Sequence, residues 1–257
     1  MTFTTRLLLP SLAALSLIAG STLAAGCFQP FGNLEGDWTR GELGNTQLQL
    51  MDGLCPGLVG GCALDVPLAV GARTRLLVDG IDGVEIDALA SGAIAGNGEP
   101  VVSANARTQI PIAVVSEGVG RLEILDGTTV IDRVSLRARH ATRLACGRWD
   151  SDRGALQWRM EGLETGPAIT LPRGGDGRFE LACRASDAEG PLLSADAIVW
   201  ETMAGTEHLS LVETGLGRNP VDRAVGARIH YVARTPGTAL VRASLGDVSV
   251  DLAITVE

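Results

Sequence analysis

The stretch Val248-Ser-Val-Asp-Leu-Ala-Ile-Thr-Val256 carries an apolar side chain at every second position. Successive side chains of an extended chain point to opposite faces, so this alternation predicts a β-strand with one buried face. Residues 46–51, 73–78 and 178–183 read the same way. Gly, Pro, Asp and Asn interrupt the chain at intervals of about 8 to 12 residues, which is the rhythm of a β-sandwich. Asp126-Gly127 separates two such runs and predicts a hairpin, because the turn needs a positive φ that glycine adopts at no steric cost. Beyond the N-terminal segment, no window of about ten residues has the apolar period of an amphipathic helix.

The second half of the chain repeats the first. A shift of 119 residues places Ile110 on Ile229, Gly118 on Gly237, Gly127 on Gly246 and Asp132 on Asp251 without a gap, and Cys27 on Cys146. Both segments read strand, glycine turn, strand, glycine turn, strand. The predicted domains are residues 41–140 and 145–257, with 27–40 as a tether. The string Ala-Val-Gly-Ala-Arg occurs at 69–73 and again at 224–228, but at another offset, and is read as coincidence. The closing segment, residues 236–257, resembles the end of bacterial immunoglobulin-like domains. Those finish with a G-x-A-x-V-x-A strand, a short hairpin and a final alternating strand. The resemblance covers about 25 residues at the end of each repeat and implies an all-β chain of two tandem immunoglobulin-like β-sandwich domains. Trp149 and Trp158 lie between Cys146 and Cys183, too near the first cysteine for the antibody-type Cys…Trp…Cys pattern.

The N-terminus reads as an export signal. Residues 1–5 carry no acid, Arg6 supplies one positive charge, and an apolar run from 7 to 19 is broken by Pro10. Small residues follow, ending in Leu23-Ala24-Ala25-Gly26-Cys27. This run resembles the lipobox of bacterial lipoproteins, although Ala24 stands where such motifs usually have leucine. The resemblance implies cleavage after Gly26, so that residues 1–26 are a signal peptide. It also implies a diacylglycerol on the Cys27 sulfur and an acylated amine. Each buried methylene adds about 0.8 kcal/mol, so several chains hold a protein firmly on a bilayer. Phe28 rather than Asp follows the cysteine, which by the same resemblance implies an outer-membrane destination.

Composition excludes several chemistries. All 21 cationic side chains are Arg, so Schiff-base lysines, P-loop lysines and Ser-x-x-Lys nucleophiles are ruled out. A formal net charge of −9 without a basic cluster argues against nucleic acid. With Cys27 assigned to lipid, Cys55, Cys62, Cys146 and Cys183 remain, an even number that reads as disulfides in an exported chain. Of the three possible pairings, Cys55–Cys62 with Cys146–Cys183 keeps each bridge inside one repeat. No C-x2-C spacing and no neighbouring histidine points to a metal.

No catalytic residue is assigned. His140, His208 and His230 are scattered, and no G-x-S-x-G elbow occurs. Asp79, Asp82, Glu85 and Asp87 read as a solvated turn entering a strand in preference to a Ca2+ loop. Arg137, Arg139 and Arg143 span the connector between repeats, either as a solvated hinge or as a contact for an acidic partner. No cofactor is expected. The expectation is a lipid-anchored, non-catalytic structural or binding module of the bacterial envelope, with the membrane and a protein or glycan as partners. Two alternatives stand beside it: an exported hydrolase with a site at the domain junction, and a periplasmic small-ligand or glycan carrier using Trp149, Trp158 or Trp200.

Overall fold

The computed structural model describes residues 38–51, 61–62, 64–80, 86–102, 107–149, 168–171, 178–212, 220–221 and 223–257. Cys27, Cys55, Asp82, Glu85 and Trp158 lie outside the described residues, and of Cys62 and Trp149 only the backbone is described.

Among the described residues the first half contributes eleven strands. They are β1 (Thr39–Arg40), β2 (Gln47–Met51), β3 (Gly61–Cys62), β4 (Leu68–Ala69), β5 (Arg73–Asp79) and β6 (Ile86–Gly92), then β7 (Ile94–Gly96), β8 (Val101–Val102), β9 (Thr108–Val114), β10 (Gly118–Asp126) and β11 (Thr129–Arg139). The second half adds β12 (Arg143–Trp149), β13 (Ile169–Leu171), β14 (Arg178–Ser186), β15 (Pro191–Leu192), β16 (Val199–Ala204) and β17 (Leu209–Val212). It ends with β18 (Pro220–Val221), β19 (Arg223–Val225), β20 (Arg228–Ala233), β21 (Gly237–Leu245) and β22 (Val248–Val256). Among the described residues the helical element is a single 3-10 turn, Ala195–Ala197.

Each half is a pair of sheets. In the first, β2-β5-β9-β7 faces β4-β11-β10-β6, and in the second β12-β14-β20-β17 faces β13-β22-β21-β16. Read in chain order, both are the immunoglobulin arrangement: first, second, fifth and fourth main strands in one sheet, third, sixth and seventh in the other. A short strand joins the last strand in parallel in both halves, Leu68 beside Ala138 and Ile169 beside Ile254. The chain is therefore all-β, with two tandem immunoglobulin-like sandwiches. The predicted alternation of the final strand holds: Leu252, Ile254 and Val256 are buried, and Val248 and Val250 pack on the core from its rim.

The repeat is structural as well as sequential. β10 and β11 begin at the same positions as β21 and β22 under the gapless shift, each hairpin turning on a glycine with φ near +57°, Gly127 (φ 58) and Gly246 (φ 56). Glycine is the first residue of both two-residue loops, as a type II′ hairpin requires. A further matched pair escapes the gapless comparison. Gly92 (φ 71) and Gly205 (φ 74) both leave the third main strand, and a Cβ at either would collide with a carbonyl of the sixth, that of Val119 or of Thr238. Loops of different length separate these glycines from the aligned segment, which is why a single shift misses them.

One irregularity distinguishes the halves. The Gly127-Thr128 loop sets Asp126 opposite Thr129, and that register, continued, would carry Arg133, Ser135 and Arg137 into the core beside Leu122 and Gly120. A one-residue slip in a strand exchanges its faces. The conflict is absorbed by a β-bulge at Ile131, after which Ile124 opposes Asp132 and Leu122 opposes Val134. Val134, Leu136 and Ala138 are thereby buried, and Asp132 is turned inward with them. In β21–β22 the loop and the apolar pattern agree, and the pairing runs without a shift from Leu245↔Val248 to Gly237↔Val256.

Candidate functional site

Asp132 is the most highly coordinated side chain described. It has no solvent exposure, and its carboxylate accepts hydrogen bonds from the backbone N–H of Leu43 (2.9 Å), Asn45 (2.9 Å), Thr46 (2.8 Å) and Arg133 (2.8 Å), and from Thr46 Oγ1 (2.9 Å). Burial works against the charged form, but these donors outweigh it and hold the carboxyl below the ordinary aspartate range. The 41–46 turn wraps this anion closely: a Cβ on Gly41 would strike the carboxylate itself. Its repeat counterpart, Asp251, lies on the opposite kind of surface. It forms a bidentate pair with Arg242 (2.7 and 2.8 Å) within an alternating cross-strand row, Arg223–Glu201–Arg242–Asp251, over four adjacent strands.

The junction between the sandwiches is a clasp. Leu68 and Leu193 form a parallel bridge, with Ala69 N–H donating to the Leu193 carbonyl (2.8 Å) and Leu193 N–H to that of Pro67 (2.9 Å). The halves also exchange apolar groups: Ala69 packs in the core of the second sandwich and Leu193 in that of the first. Two of the connector arginines, Arg137 and Arg139, are tied to the protein. Arg139 reaches Asp187 (3.0 Å) and Glu189 (2.5 Å) on the second sandwich, so its acidic partner is internal, and Arg137 donates to the Asp65 carbonyl (2.9 Å).

The same junction holds the groups that a hydrolase there would have to use. Ser194 is buried, and its Oγ has no hydrogen-bond partner. Ala195 has φ 40, a left-handed conformation seldom adopted by a residue with a Cβ. Desolvation raises the pKa of Asp196, an effect that the nearby Arg75 charge opposes. The histidines that could act as base are engaged elsewhere. His208 Nδ1 contacts Thr235 Oγ1 (3.0 Å) and its Nε2 faces Glu207 (3.3 Å), while His230 on β20 faces Glu180 (3.3 Å). His140 is exposed in the short connector between β11 and β12. Among the described residues Ser194 Oγ has no hydrogen-bond partner that could act as a base.

Of the acid loop, Asp79 and Asp87 are described. Asp79 pairs with Arg107 (3.2 Å) and accepts from the Gly80 N–H (2.8 Å), while Asp87 sits on β6. Among the described residues no three His, Cys, Asp or Glu side chains group as metal ligands. Of the three tryptophans named for a carrier, Trp200 is not available to a ligand. It is wholly buried with its indole N–H donating to the Gly226 carbonyl (2.7 Å), so it offers no face to a ligand.

Cys146 and Cys183 are bonded to each other. They stand directly opposite on β12 and β14, with Cα atoms 4.0 Å apart. The Cys183 N–H points the other way, to the Ala227 carbonyl, so the bridge spans a non-hydrogen-bonded pair, where cross-strand side chains come closest. The link lies within one sheet and does not join the two sheets as an antibody disulfide does. Its 37-residue separation predicts that the double variant Cys146→Ala/Cys183→Ala loses about 3–4 kcal/mol in denaturant unfolding, chiefly through a freer unfolded chain. A loss below about 1 kcal/mol would show that the bridge constrains nothing.

No protein-family model matches the chain, and no curated protein matches it. Among solved structures it is similar to domains 5–6 of the S-layer protein SbsC, at 12% identity, covering 75% of this chain and 94% of that one with a TM-score of 0.28. It is similar to the Escherichia coli adhesin FdeC at 11% identity, covering 86% and 66% with a TM-score of 0.28. The D0-D1 domain of intimin aligns at 12% identity over 74% and 92%, with a TM-score of 0.26. The fold assignment rests on the strand pairing itself.

Proposed function

We propose that this chain is a lipid-anchored envelope protein whose two clasped sandwiches form a non-catalytic scaffold presenting a surface to a protein or glycan. The observation that carries the scaffold reading is the clasp. A shared backbone bridge, exchanged core residues and the Arg139 ion pairs favour a fixed junction, in which Arg139, Asp187 and Glu189 are occupied with one another. Groups available to a partner then lie on the outer sheet faces and loops. The anchor is argued from Leu23-Ala24-Ala25-Gly26-Cys27 alone. Several acyl chains at Cys27 would hold the acidic body at a bilayer with no help from anionic head groups, which its charge disfavours.

The anchor is tested by expressing the full chain in a lipoprotein-processing bacterium and fractionating the envelope. The native chain is expected in the detergent phase, with an intact mass showing acylation at Cys27. Cys27→Ala is expected in the soluble periplasmic fraction, with the same circular-dichroism spectrum. Equal membrane association of both forms would overturn the anchor.

A further inference from the structure

The connector between β7 and β8 interrupts sheet pairing for a covalent reason. β7 runs beside β9, with Ile94 opposite Val114 and Gly96 opposite Ile112. The hydrogen-bonded positions are set by the Val115 N–H donating to the Ala93 carbonyl (2.9 Å) and the Asn97 N–H to the Pro111 carbonyl (3.0 Å). Pro111 has no N–H with which to return the bond, so the ladder stops at Asn97. Pairing resumes in β8 at a displaced register, Val101 standing opposite Gln109 where the unbroken ladder would give Arg107. Just past the break, Gly98 takes φ 135, a conformation that a residue with a Cβ seldom adopts. The geometry of the connector thus sets a glycine directly after an asparagine.

Both residues are exposed, and among the described residues neither the Asn97 side-chain amide nor the Gly98 N–H makes a hydrogen bond. An unhindered, unengaged main-chain nitrogen one residue after a carboxamide is what cyclisation of an asparagine requires. The other asparagines are placed differently. Of the five in the chain, only Asn97 precedes a glycine. Asn45 donates from Nδ2 to the Ile131 carbonyl (2.6 Å), and the N–H that follows it, that of Thr46, is given to the Asp132 carboxylate (2.8 Å). Asn219 precedes Pro220, which has no N–H, and Asn33 and Asn105 precede residues whose side chains crowd the nitrogen.

We propose that Asn97 is a site of spontaneous deamidation in the folded protein, with water as the co-reactant. The Gly98 nitrogen, its proton passing to solvent base, bonds to Asn97 Cγ. The Cγ–Nδ2 bond breaks and ammonia leaves, closing a succinimide ring. Water then opens the ring, and nothing is oxidised or reduced. Attack at the side-chain carbonyl gives an aspartyl residue; attack at the main-chain carbonyl gives an isoaspartyl residue, through whose side chain the backbone then runs. Either product adds one negative charge to the formal −9, two residues from the exposed Glu99. The isoaspartyl form lengthens the main chain by one atom inside a connector that has already left the ladder, so the strands on either side keep their partners. The proposal goes beyond the scaffold reading and is independent of the anchor, since nothing in it involves Cys27.

The test is incubation of the full chain in detergent, at mildly alkaline pH and in water enriched in oxygen-18, followed by cleavage at arginine in ordinary water and peptide mass mapping. The peptide Leu76–Arg107 is expected to exchange one amino group for one heavy-oxygen hydroxyl, with fragment ions placing the change at position 97 and two isomeric products separating by chromatography. Conversion at Asn97 is expected to run about tenfold or more faster than at Asn45, where the Thr46 N–H must first leave Asp132 and the broken bond adds to the barrier. Asn97→Gln, whose longer side chain closes a less favourable ring, is expected to abolish the exchange at this position. Equal rates at Asn97 and Asn45 overturn the proposal. So does an aspartyl product without its isoaspartyl partner, which would mean direct hydrolysis with no part played by the Gly98 nitrogen.

Discussion

Asp132→Ala is expected to lower the stability of the first sandwich by about 3–5 kcal/mol, among the larger single-residue effects in this chain. Four backbone N–H groups and one hydroxyl converge on its carboxylate. Deleting the acceptor leaves those of the 41–46 turn facing an apolar void, and each orphaned buried donor costs about 1–3 kcal/mol, partly recovered as the turn relaxes toward water. Asp132→Asn keeps the size but aims amide hydrogens at the same donors, so it is expected to be nearly as damaging. Asp251→Ala, at the matched repeat position but exposed and paired with Arg242, is expected to change stability little.

The pH dependence has a definite sign. The folded-state pKa of Asp132 is lowered, so the unfolded chain binds this proton more readily. The stabilisation is therefore complete above the ordinary aspartate value of about 3.9 and is lost as pH falls through the folded value below it. Urea unfolding of wild type and Asp132→Asn should differ widely at pH 7 and draw together as pH falls below the ordinary aspartate value of about 3.9. A constant difference across that range would mean that the carboxylate charge is not what the turn binds.

The second large effect is expected at Trp200. This side chain is wholly buried on β16, and its indole N–H bonds the carbonyl of Gly226, between β19 in one sheet and β20 in the other. The residue thus fills the core and fastens the point where the chain crosses between sheets. Trp200→Ala is expected to cost about 3–5 kcal/mol, the range for deleting a large buried aromatic side chain. Trp200→Phe restores most of the volume but not the donor, and should recover more than half of that loss. Denaturant midpoints of the two variants separate packing from the hydrogen bond. Equal losses in both would place the whole effect in the Gly226 contact, and negligible loss in the alanine variant would remove Trp200 from the account of the core.

Local chemistry that repeats along the chain was legible before any fold was known. Ala-Val-Gly-Ala-Arg at 69–73 and 224–228 was read as coincidence, yet in both places it forms the end of a short strand, a glycine of positive φ (Gly71, 90°; Gly226, 151°), then a new strand. Glycine's freedom and the alternation of apolar residues act over a few positions, so strands, hairpins and the duplicated C-terminal meanders could be read directly. The Cys146–Cys183 bond was legible too, because a pairing confined to one repeat needs no knowledge of the other. Partners set by strand register were not. Asp132 and Asp251 occupy one repeat position, yet a bulge at Ile131 buries the first as the anchor of a distant turn and leaves the second in a surface row. The connector arginines read as a hinge or as a contact for an acidic partner, and Arg139 is part of a clasp, since Asp187 and Glu189 come into reach only when β14 and β15 fold back. Trp200, one of three tryptophans offered by the carrier alternative, is core, because the face a side chain takes depends on which sheet its strand joins. Sequence determined where the backbone could bend and which residues shared a face; tertiary pairing decided which face was inside, since a single-residue change of register exchanges the two.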